Sequence, residues 1–555
     1  MPHTTALSAP STLPVTTTAE VRAALLARRE IALLDVREEA PFAEAHPLFA
    51  ANLALSRIEL EAWRRIPRRD VPIVVYGDDN GRGEGLARRA AERLAGLGYT
   101  RVSLLDGGLA GWAAAGGELF RDVNVPSKAF GELVEAERHT PSFSAQEVQA
   151  LLDQQRAGKA DVVVLDARRF DEYQTMSIPG GVSVPGGELA LRVRALAPDP
   201  KTQVIVNCAG RTRSIIGTQS LVNAGIPNPV AALRNGTIGW TLAGQALAHG
   251  QTRRFSDVAA PNSADTVEAA KAARKLADRA RVGRAQAAEL ARWRAEPGRT
   301  TYCFDVRTPE EFEAGHLPGF ISAPGGQLVQ ETDVSAPVRG ARIVLADGGE
   351  GSDGVRANMT ASWLAQMGWE VFVVDKLRGE DFTEAGAAPA QLPPVAEPRW
   401  VRPAQLAQWL AEPDGEYTVV LNVTPSASHV QRHIPGAWSA VRAQLPALLA
   451  RWPGVERLVL TCGSGLLARY AAADLSALDL AAEVCVLEGG NTGWVAAGLP
   501  TETGAQRMAS GRIDRYRRPY EGTDNPAAAM QAYLDWEFGL VAQLGRDGTH
   551  GFFVL

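Results

Sequence analysis

The order of apolar and polar positions along the chain repeats four times. Each copy begins with an amphipathic helical pattern such as SAQEVQALLDQQR, and a short apolar run such as VVVLD follows it. A second apolar run and a closing apolar run complete the copy. Helical patterns that alternate with short buried strands predict an α/β unit, in which helices cover both faces of a mainly parallel sheet.

The distance between the first two strands of each copy is nearly constant. In the first three copies it is 42 residues from the Asp that ends one strand to the first residue after the next: Asp35 to Gly77, Asp166 to Cys208, and Asp305 to Asp347. In the fourth copy Asn422 replaces the Asp, and Cys462 follows 40 residues later. This agreement indicates that one unit occurs four times in tandem.

The repeat predicts four units and a tail, which cover residues 15–121, 140–252, 280–386, 398–503 and 504–555. Composition predicts a moderately polar linker over 122–139 and, because it is Ala-rich and charged, a helical spacer over 262–280. We expect this spacer to separate two pairs of units, one with two and three with four.

The tail contains an amphipathic segment, NPAAAMQAYLDWEFGLVAQL. On a helix, Met530, Tyr533, Leu534, Val541 and Leu544 can share one face. This pattern fits either a helix docked on a neighbouring unit or a dimerisation element.

Composition narrows the functional class. With 57 basic and 63 acidic residues and a net charge of −6, the chain lacks the global positive field typical of nucleic-acid-binding proteins. The N-terminal segment lacks the basic and apolar regions of a signal peptide, and no apolar run of about 18 residues could span a bilayer. We therefore expect a cytoplasmic protein with no nucleic-acid or membrane partner.

The four cysteines are too few to form a disulfide framework in 555 residues. Cys303 and Cys485 lie in apolar runs, which predicts that they are small buried hydrophobic residues. The eight histidines show no metal-ligand spacing with the cysteines, so neither a metal nor a cofactor is predicted.

Cys208 lies in the stretch VIVNCAGRTRS, where an apolar strand ends and a helical pattern begins. A thiol at that position faces the N–H groups of a helix N-terminus and has Arg211 and Arg213 nearby. Each of these features favours the thiolate. The stretch therefore predicts a reactive cysteine that meets an anionic substrate.

With these motifs in view, all four units resemble rhodanese domains. The clearest first motif is DVRTPEEFEAGHLPG, from Asp305 to Gly319, and the clearest loop is CAGRTR, from Cys208 to Arg213. The resemblance implies sulfur transfer through a persulfide on the loop cysteine. It assigns the nucleophile to Cys208, donor binding to Arg211 and Arg213, and stabilisation of the persulfide to the backbone of Ala209, Gly210 and Thr212.

Loop length separates sulfur transfer from a related activity. The loop from Cys208 to Arg213 has six residues, whereas the phosphatases of this fold, which hold a larger oxyanion, have one more. The resemblance therefore favours a sulfurtransferase over a phosphatase. Asp166 and Arg168 are predicted to form an ion pair that stabilises the fold.

The other three loops differ from this one. The loop of unit four, CGSGLLAR, resembles that of 3-mercaptopyruvate sulfurtransferases, which makes Cys462 a second candidate nucleophile. It has no cation inside the loop, and a degenerate structural unit is the alternative. Units one and three have Gly77 and Asp347 in place of the cysteine, which predicts that they are inactive.

The resulting hypothesis is a thiosulfate sulfurtransferase that passes sulfur to a thiol, to a cyanide-like acceptor or to a protein acceptor. One alternative is a rhodanese-based scaffold, sulfur carrier or redox-sensing binding protein. The other is 3-mercaptopyruvate sulfurtransferase activity at Cys462. The sequence does not define the oligomeric state.

Overall fold

The structure, a computed structural model, describes residues 13–78, 85–255, 263–348, 354–412 and 417–555. Residues 1–12, which include most of the segment used for the localisation prediction, lie outside the described residues. Four mainly parallel sheets, each flanked by helices, form four α/β units. The predicted fold class is confirmed.

Units one and two have the same order of elements. The elements of unit one are β1 (Val15–Thr16), α1 (Thr18–Leu26), β2 (Ile31–Asp35), α2 (Glu39–Glu44), β3 (Ala51–Asn52), α3 (Ile58–Arg65), β4 (Ile73–Tyr76), α4 (Leu86–Gly96), β5 (Val102–Leu105) and α5 (Gly108–Ala114). A helix outside the repeat, α6 (Val125–Arg138), follows. The elements of unit two are β6 (Ser142–Phe143), α7 (Ala145–Arg156), β7 (Val162–Asp166), α8 (Phe170–Thr175), β8 (Val182–Ser183), α9 (Leu189–Leu196), β9 (Gln203–Asn207), α10 (Thr212–Asn223), β10 (Val230–Leu233) and α11 (Gly236–Leu242).

Another helix outside the repeat, α12 (Ala264–Arg279), leads into unit three. The elements of unit three are β11 (Gly283–Ala285), α13 (Ala287–Arg294), β12 (Thr301–Asp305), α14 (Pro309–Ala314), β13 (Ile321–Ser322), α15 (Gly325–Gln330), α16 (Thr332–Ser335), β14 (Val338–Arg339), β15 (Arg342–Ala346), α17 (Val355–Gln366) and β16 (Glu370–Val374). The elements of unit four are β17 (Arg399–Val401), α18 (Pro403–Ala411), β18 (Thr418–Asn422), α19 (Ser426–Gln431), β19 (Trp438–Ser439), α20 (Leu445–Leu448), β20 (Arg457–Thr461), α21 (Leu466–Ser476), β21 (Glu483–Leu487) and α22 (Gly490–Ala496). The tail contains α23 (Ala527–Phe538) and α24 (Leu540–Asp547).

The sheet of unit two has the strand order β6-β10-β9-β7-β8, and its neighbouring strands are parallel. Its two central strands are buried on both faces, which is why their sequences are continuous apolar runs. The register pairs Asp166 with Asn207, so β7 and β9 end side by side. Because parallel strands share one carboxyl edge, Cys208 and the Asp166–Arg168 motif meet there.

The predicted pairing of units one with two and three with four is wrong. Equivalent segments, each following the third strand of its unit, bring unit two against unit three and unit one against unit four. An ideal Cβ on Gly187 would lie 2.9 Å from the backbone nitrogen of Gly326, so only glycine allows the contact between units two and three. Between units one and four, Arg442 forms an ion pair with Glu59 at 2.7 Å. Linker composition could not reveal contacts between residues so distant in sequence.

The sheet of unit one includes a strand from unit three. β14 pairs antiparallel with β2, with Val338 opposite Ala32 and Arg339 opposite Ile31. The strand β3 occupies the other end of the same edge of β2. Unit three therefore covers half of an edge that unit one alone would leave open.

The two segments between units, 122–139 and 262–280, both contain helices that pack against the units. The segment 262–280 contains α12, as predicted, but its Ala273 and Leu276 are buried against Val355 and Met359 of unit three and against α9 of unit two. The segment 122–139 is wrongly predicted as a linker, because it forms α6 and buries most of its residues. Pro126 in the first turn is the local signal for that helix.

The tail docks on unit two, which is one of the two arrangements that its pattern predicted. Met530, Tyr533 and Leu534 are buried in one cluster with Ile238. The predicted single helix is divided into α23 and α24 at Gly539. The apolar residues of α23 therefore cover the carboxyl edge of the unit two sheet, where Cys208 lies, whereas Leu544 of α24 is buried in a separate cluster with residues of unit one.

Candidate active site

Cys208 is the first residue after β9, and α10 begins four residues later. The residue is 2% exposed, and its thiol donates a hydrogen bond to Ser214 Oγ at 3.4 Å. Burial raises the pKa of the Cys208 thiol, although Arg213 and Ser214 act to lower it. Arg213 therefore acts as the sequence predicts, but the net shift of the Cys208 pKa is upward because desolvation is the larger effect.

The helix α11 fixes the backbone of the Cys208 loop. The N–H groups of Thr237 and Ile238 donate to the carbonyl oxygens of Cys208 and Ala209, at 2.9 and 3.0 Å. Gly236 has a φ of +56°, and an ideal Cβ there would lie 2.3 Å from the Cys208 oxygen. Because C=O and N–H point in opposite directions in a trans peptide, the following amides face away from α11. Such a loop presents N–H donors at a helix N-terminus.

Asp166 and Arg168 support the start of this loop. Arg168 Nε and Nη2 donate to the two carboxylate oxygens of Asp166 at 2.8 and 2.7 Å, and Nη2 also donates to the Met176 carbonyl. Asn207, the residue before Cys208, donates to Asp166 Oδ2 at 2.9 Å. The predicted ion pair is confirmed, and it ties β7 to β9 immediately below the cysteine.

Arg211 is held mainly by residues outside the repeat. Its guanidinium forms a two-bond ion pair with Glu132 of α6, at 2.7 and 2.9 Å, and donates to Asn235 at 3.1 Å. The ring of Phe538 lies 4.5 Å from the guanidinium carbon. An ideal Cβ on Gly131 of α6 would lie 3.0 Å from Thr212 Cγ2, so α6 packs closely against the loop. Sequence reasoning missed Glu132 because it treated α6 as a linker.

Arg213 connects the loop to a polar cavity. Its two terminal nitrogens donate to Glu172 at 2.7 and 2.8 Å. Burial alone would raise the pKa of Glu172, but Arg213 lowers it to about 2. Arg213 also lines a cavity of about 340 Å³ between units two and three and the tail, with Arg168, Arg169, Arg515, Arg518 and Glu331 among its other residues. The cavity is wide enough for a small charged ligand.

The tail helix α23 covers the Cys208 loop, which the sequence did not predict. An ideal Cβ on Gly210 would lie 3.2 Å from Tyr533 Cε1 and 3.3 Å from Glu537 Oε2. Both residues are buried, and Tyr533 donates its hydroxyl hydrogen to Glu537 Oε1 at 2.9 Å. The Glu537 carboxyl therefore belongs to the surroundings of the loop.

Cys462 occupies the equivalent position in a more open loop. It is buried, but Gly463 and Ser464 of its loop are exposed. The Asn491 N–H donates to the Cys462 carbonyl at 2.8 Å, as Thr237 does for Cys208. Arg469 donates to the exposed Glu397 at 3.3 Å. The Cys462 loop therefore has the same backbone hydrogen bond to the following helix as the Cys208 loop, but it is more exposed to solvent.

In unit three the equivalent position holds a carboxylate. Asp347 Oδ2 accepts the backbone N–H groups of Arg356 and Ala357 at 2.7 and 3.3 Å, and Oδ1 accepts Arg356 Nε at 3.1 Å. Arg356 also forms ion pairs with Glu188 of unit two and with Glu311. The Asp347 carboxylate thus occupies the helix N-terminus at which an active unit would bind an anion. In unit one, the position is occupied by Gly77.

The described part of the chain contains neither a metal-binding cluster nor a membrane-spanning helix. No group of three or more His, Cys, Asp or Glu side chains there is arranged to bind a metal ion. No helix in the same residues is long and apolar enough to cross a membrane.

Comparison with known proteins agrees with this architecture. A family model described as "Rhodanese-like domain" matches residues 17–115, 144–243, 286–376 and 403–497. The chain belongs to the rhodanese-like family. The four matches, one in each α/β unit, confirm the resemblance that the repeated motifs indicated.

Two relatives of this rhodanese-like chain differ in how much of it they cover. The crystal structure of thiosulfate sulfurtransferase from Pseudomonas aeruginosa is 67% identical, covers 98% of this chain and 100% of its own, and superposes with a TM-score of 0.93. The curated protein named "Putative thiosulfate sulfurtransferase SseB", from Mycobacterium tuberculosis, is 33% identical over 131 residues. That match spans 22% of this chain and 43% of SseB.

Proposed function

We propose that this chain is a sulfurtransferase that takes a sulfane sulfur from thiosulfate and holds it as a persulfide on Cys208. The observation that carries the proposal is the buried Cys208 thiol, which lies between a parallel strand and a helix N-terminus, in a loop with its carbonyls turned towards α11. The 67% identity to a thiosulfate sulfurtransferase over nearly the whole chain supports it.

The reaction has two nucleophilic steps. The Cys208 thiol first loses its proton to solvent, and the thiolate attacks the outer sulfur of thiosulfate. The sulfur–sulfur bond of the donor breaks, and sulfite leaves with the bonding electron pair. A thiol or cyanide-like acceptor, or a protein thiol, then attacks the outer sulfur of the persulfide and releases the Cys208 thiolate.

The loop stabilises the negative charge in both steps. We assign this role to the backbone amides of Ala209, Gly210 and Thr212 at the N-terminus of α10 and to the positive charges of Arg211 and Arg213. Arg213 is the stronger candidate for contact with the donor, because it acts on the Cys208 thiol and lines the polar cavity. Arg211 is bound by both Glu132 and Asn235, so its main role is to fix the loop against α6.

The four units have separate roles in this proposal. Unit two, residues 140–252, is catalytic. Units one and three, residues 15–121 and 280–386, are structural, because they have Gly77 and Asp347 in place of the cysteine. The tail, 504–555, covers the catalytic loop. We also propose a cytoplasmic location, which is supported by the four free cysteines.

A second activity is proposed for unit four, residues 398–503. Its loop holds Cys462 in the same backbone frame, and Gly463 and Ser464 are exposed to an incoming donor. With small residues and no cation inside the loop, this position suits a carboxylated donor such as 3-mercaptopyruvate better than a dianion.

The intermediate can be tested directly by mass spectrometry. After treatment with thiosulfate, we expect the peptide that contains Cys208 to gain the mass of one sulfur atom, and we expect cyanide to remove it. Peptides with Cys303 and Cys485, which lie in buried strands, serve as internal controls. If Cys462 carries the added sulfur and Cys208 does not, the thiosulfate reaction must be assigned to unit four.

The role of Arg213 predicts a binding defect. We expect Arg213→Ala to raise KM for thiosulfate by about 10- to 100-fold, because a hydrogen bond to a charged group is lost and Glu172 is left without its cation. Arg213→Lys keeps the charge but not the two-bond geometry and should have a smaller effect. Steady-state kinetics with thiosulfate and cyanide measure both variants. An unchanged KM in Arg213→Ala would exclude Arg213 from donor binding.

A further inference from the structure

The helix α23 is held over the Cys208 loop by contacts with several elements. Leu534 and Met530 pack on Ile238 of α11. The ammonium group of Lys128, from α6, lies 5.1 Å from the ring centroid of Tyr533 and 5.5 Å from that of Trp536. These contacts fix the face of α23 that meets Gly210, so Glu537 is held in one place rather than exposed on a mobile end.

Glu537 has one carboxylate oxygen with a partner and one without. Oε1 accepts the hydroxyl hydrogen of Tyr533. Oε2 is buried, has no hydrogen-bond partner among the described atoms, and lies near Gly210 in the middle of the loop. Glu537 itself is only 1% exposed. A buried polar atom of this kind lowers stability unless a ligand provides its partner.

The charges around Glu537 favour its neutral form. Burial, with the like charge of Glu132, raises the pKa of Glu537 to about 8, although Lys128 and Arg211 act in the opposite direction. These two cations have carboxylate partners of their own, Asp122 and Glu132. Near neutral pH the Glu537 carboxyl therefore keeps its proton and can donate a hydrogen bond, which a carboxylate cannot.

We propose that Glu537 is a substrate-contacting residue of the Cys208 site, and that its neutral carboxyl donates a hydrogen bond from Oε2 to an oxygen of the anionic sulfur donor on the loop. This inference rests on the proposed function of Cys208. The contact involves no transfer of the proton. It adds a side-chain donor beside Gly210, and it makes the C-terminal tail part of the binding site.

The contact also makes the binding of an anionic donor depend on the charge state of Glu537. When Glu537 loses its proton, the same oxygen becomes a negative acceptor beside a bound dianion, so attraction changes to repulsion. The groups that face Glu537 are Tyr533 on its own helix, Lys128 and Glu132 on α6, and Cys208 and Arg211 on the loop. We expect all of these groups except the Cys208 thiol to keep one charge state near pH 8. In a binding experiment, Cys208→Ser removes the titration of the thiol.

The test measures equilibrium binding of thiosulfate to the full chain carrying Cys208→Ser, which removes both turnover and the titration of the thiol. With Glu537 intact, affinity should fall as pH rises through about 8. Adding Glu537→Gln, which retains a hydrogen-bond donor but cannot ionise, should remove this fall. Adding Glu537→Ala should weaken binding by about 10- to 100-fold at neutral pH.

Asp535→Asn is the matched control, because Asp535 lies on the exposed face of the same helix and bonds to Gln531. It should leave both the affinity and its pH dependence unchanged. The inference is overturned if Glu537→Gln keeps the decline of the parent, or if Glu537→Ala binds thiosulfate as well as the parent does. If Glu537→Ala fails to fold, the pH profile of Glu537→Gln still decides.

Failure of this inference can be told apart from failure of the proposed function. Persulfide formation on Cys208 is measured separately, in chains that keep the cysteine. If the Cys208 peptide gains sulfur while the Glu537 variants bind like the parent, only the role of Glu537 is lost. If Cys208 never gains sulfur, the proposed function itself is wrong.

Discussion

Cys208→Ala is expected to abolish the transfer of sulfur from thiosulfate to cyanide, with a fall in kcat of at least about 10⁴-fold. Without the thiolate no persulfide can form, and the remaining loop can only bind the donor. The change removes one sulfur atom from a buried position, so the fold should persist. Thiocyanate production by the wild type and the variant, together with circular dichroism, measures the two effects separately.

Cys462→Ala is the matched control, because Cys462 occupies the equivalent position in unit four. It should leave the thiosulfate activity intact. Running 3-mercaptopyruvate in parallel tests the second site: loss of that activity in Cys462→Ala alone would make unit four active. Full activity of Cys208→Ala with both donors would refute the role assigned to Cys208 and favour the scaffold alternative.

Arg356→Ala is expected to lower the free energy of unfolding by about 3 to 5 kcal/mol. Arg356 is 1% exposed and lies among the carboxylates of Asp347, Glu188 and Glu311. Its removal takes a buried cation away from Asp347 and Glu188 at the contact between units two and three, where Glu188 keeps its second ion pair, with Arg192. Urea denaturation followed by fluorescence measures the loss.

Arg254→Ala provides the comparison for this prediction. Arg254, two residues beyond unit two, forms an ion pair with Glu310 of unit three at 3.6 Å, but both side chains are exposed. Because solvent screens exposed pairs, the loss should be no more than about 1 kcal/mol. Equal losses in the two variants would mean that burial of the Arg356 cluster contributes nothing.

The repeat was sufficient to predict the fold because each unit is determined by local patterns. Buried strands, capped helices and the constant spacing from Asp166 to Cys208 all lie within one copy, so comparing copies revealed them. The Asp166–Arg168 pair could be predicted for the same reason. The position of Cys208 at the carboxyl edge of the sheet follows from the order of the elements.

The surroundings of the loop could not be predicted because they come from outside the repeat. Glu132 and Glu537 lie on helices outside the four repeated units, so a comparison of the copies could not reveal them. Only the tertiary fold makes them buried partners of Arg211 and Gly210. The upward shift of the Cys208 pKa could not be predicted either, because burial is a property of the tertiary fold.

Because β14 of unit three completes the sheet of unit one, unit one cannot finish folding until unit three has been synthesised. Val338 pairs with Ala32, which is synthesised roughly 300 residues earlier. At a synthesis rate of about 5 to 20 residues per second, this edge of β2 stays without β14 for on the order of 15 to 60 s. During that interval the nascent first unit presents unpaired backbone to other chains, so this protein has a window in which chaperone binding would protect it from aggregation.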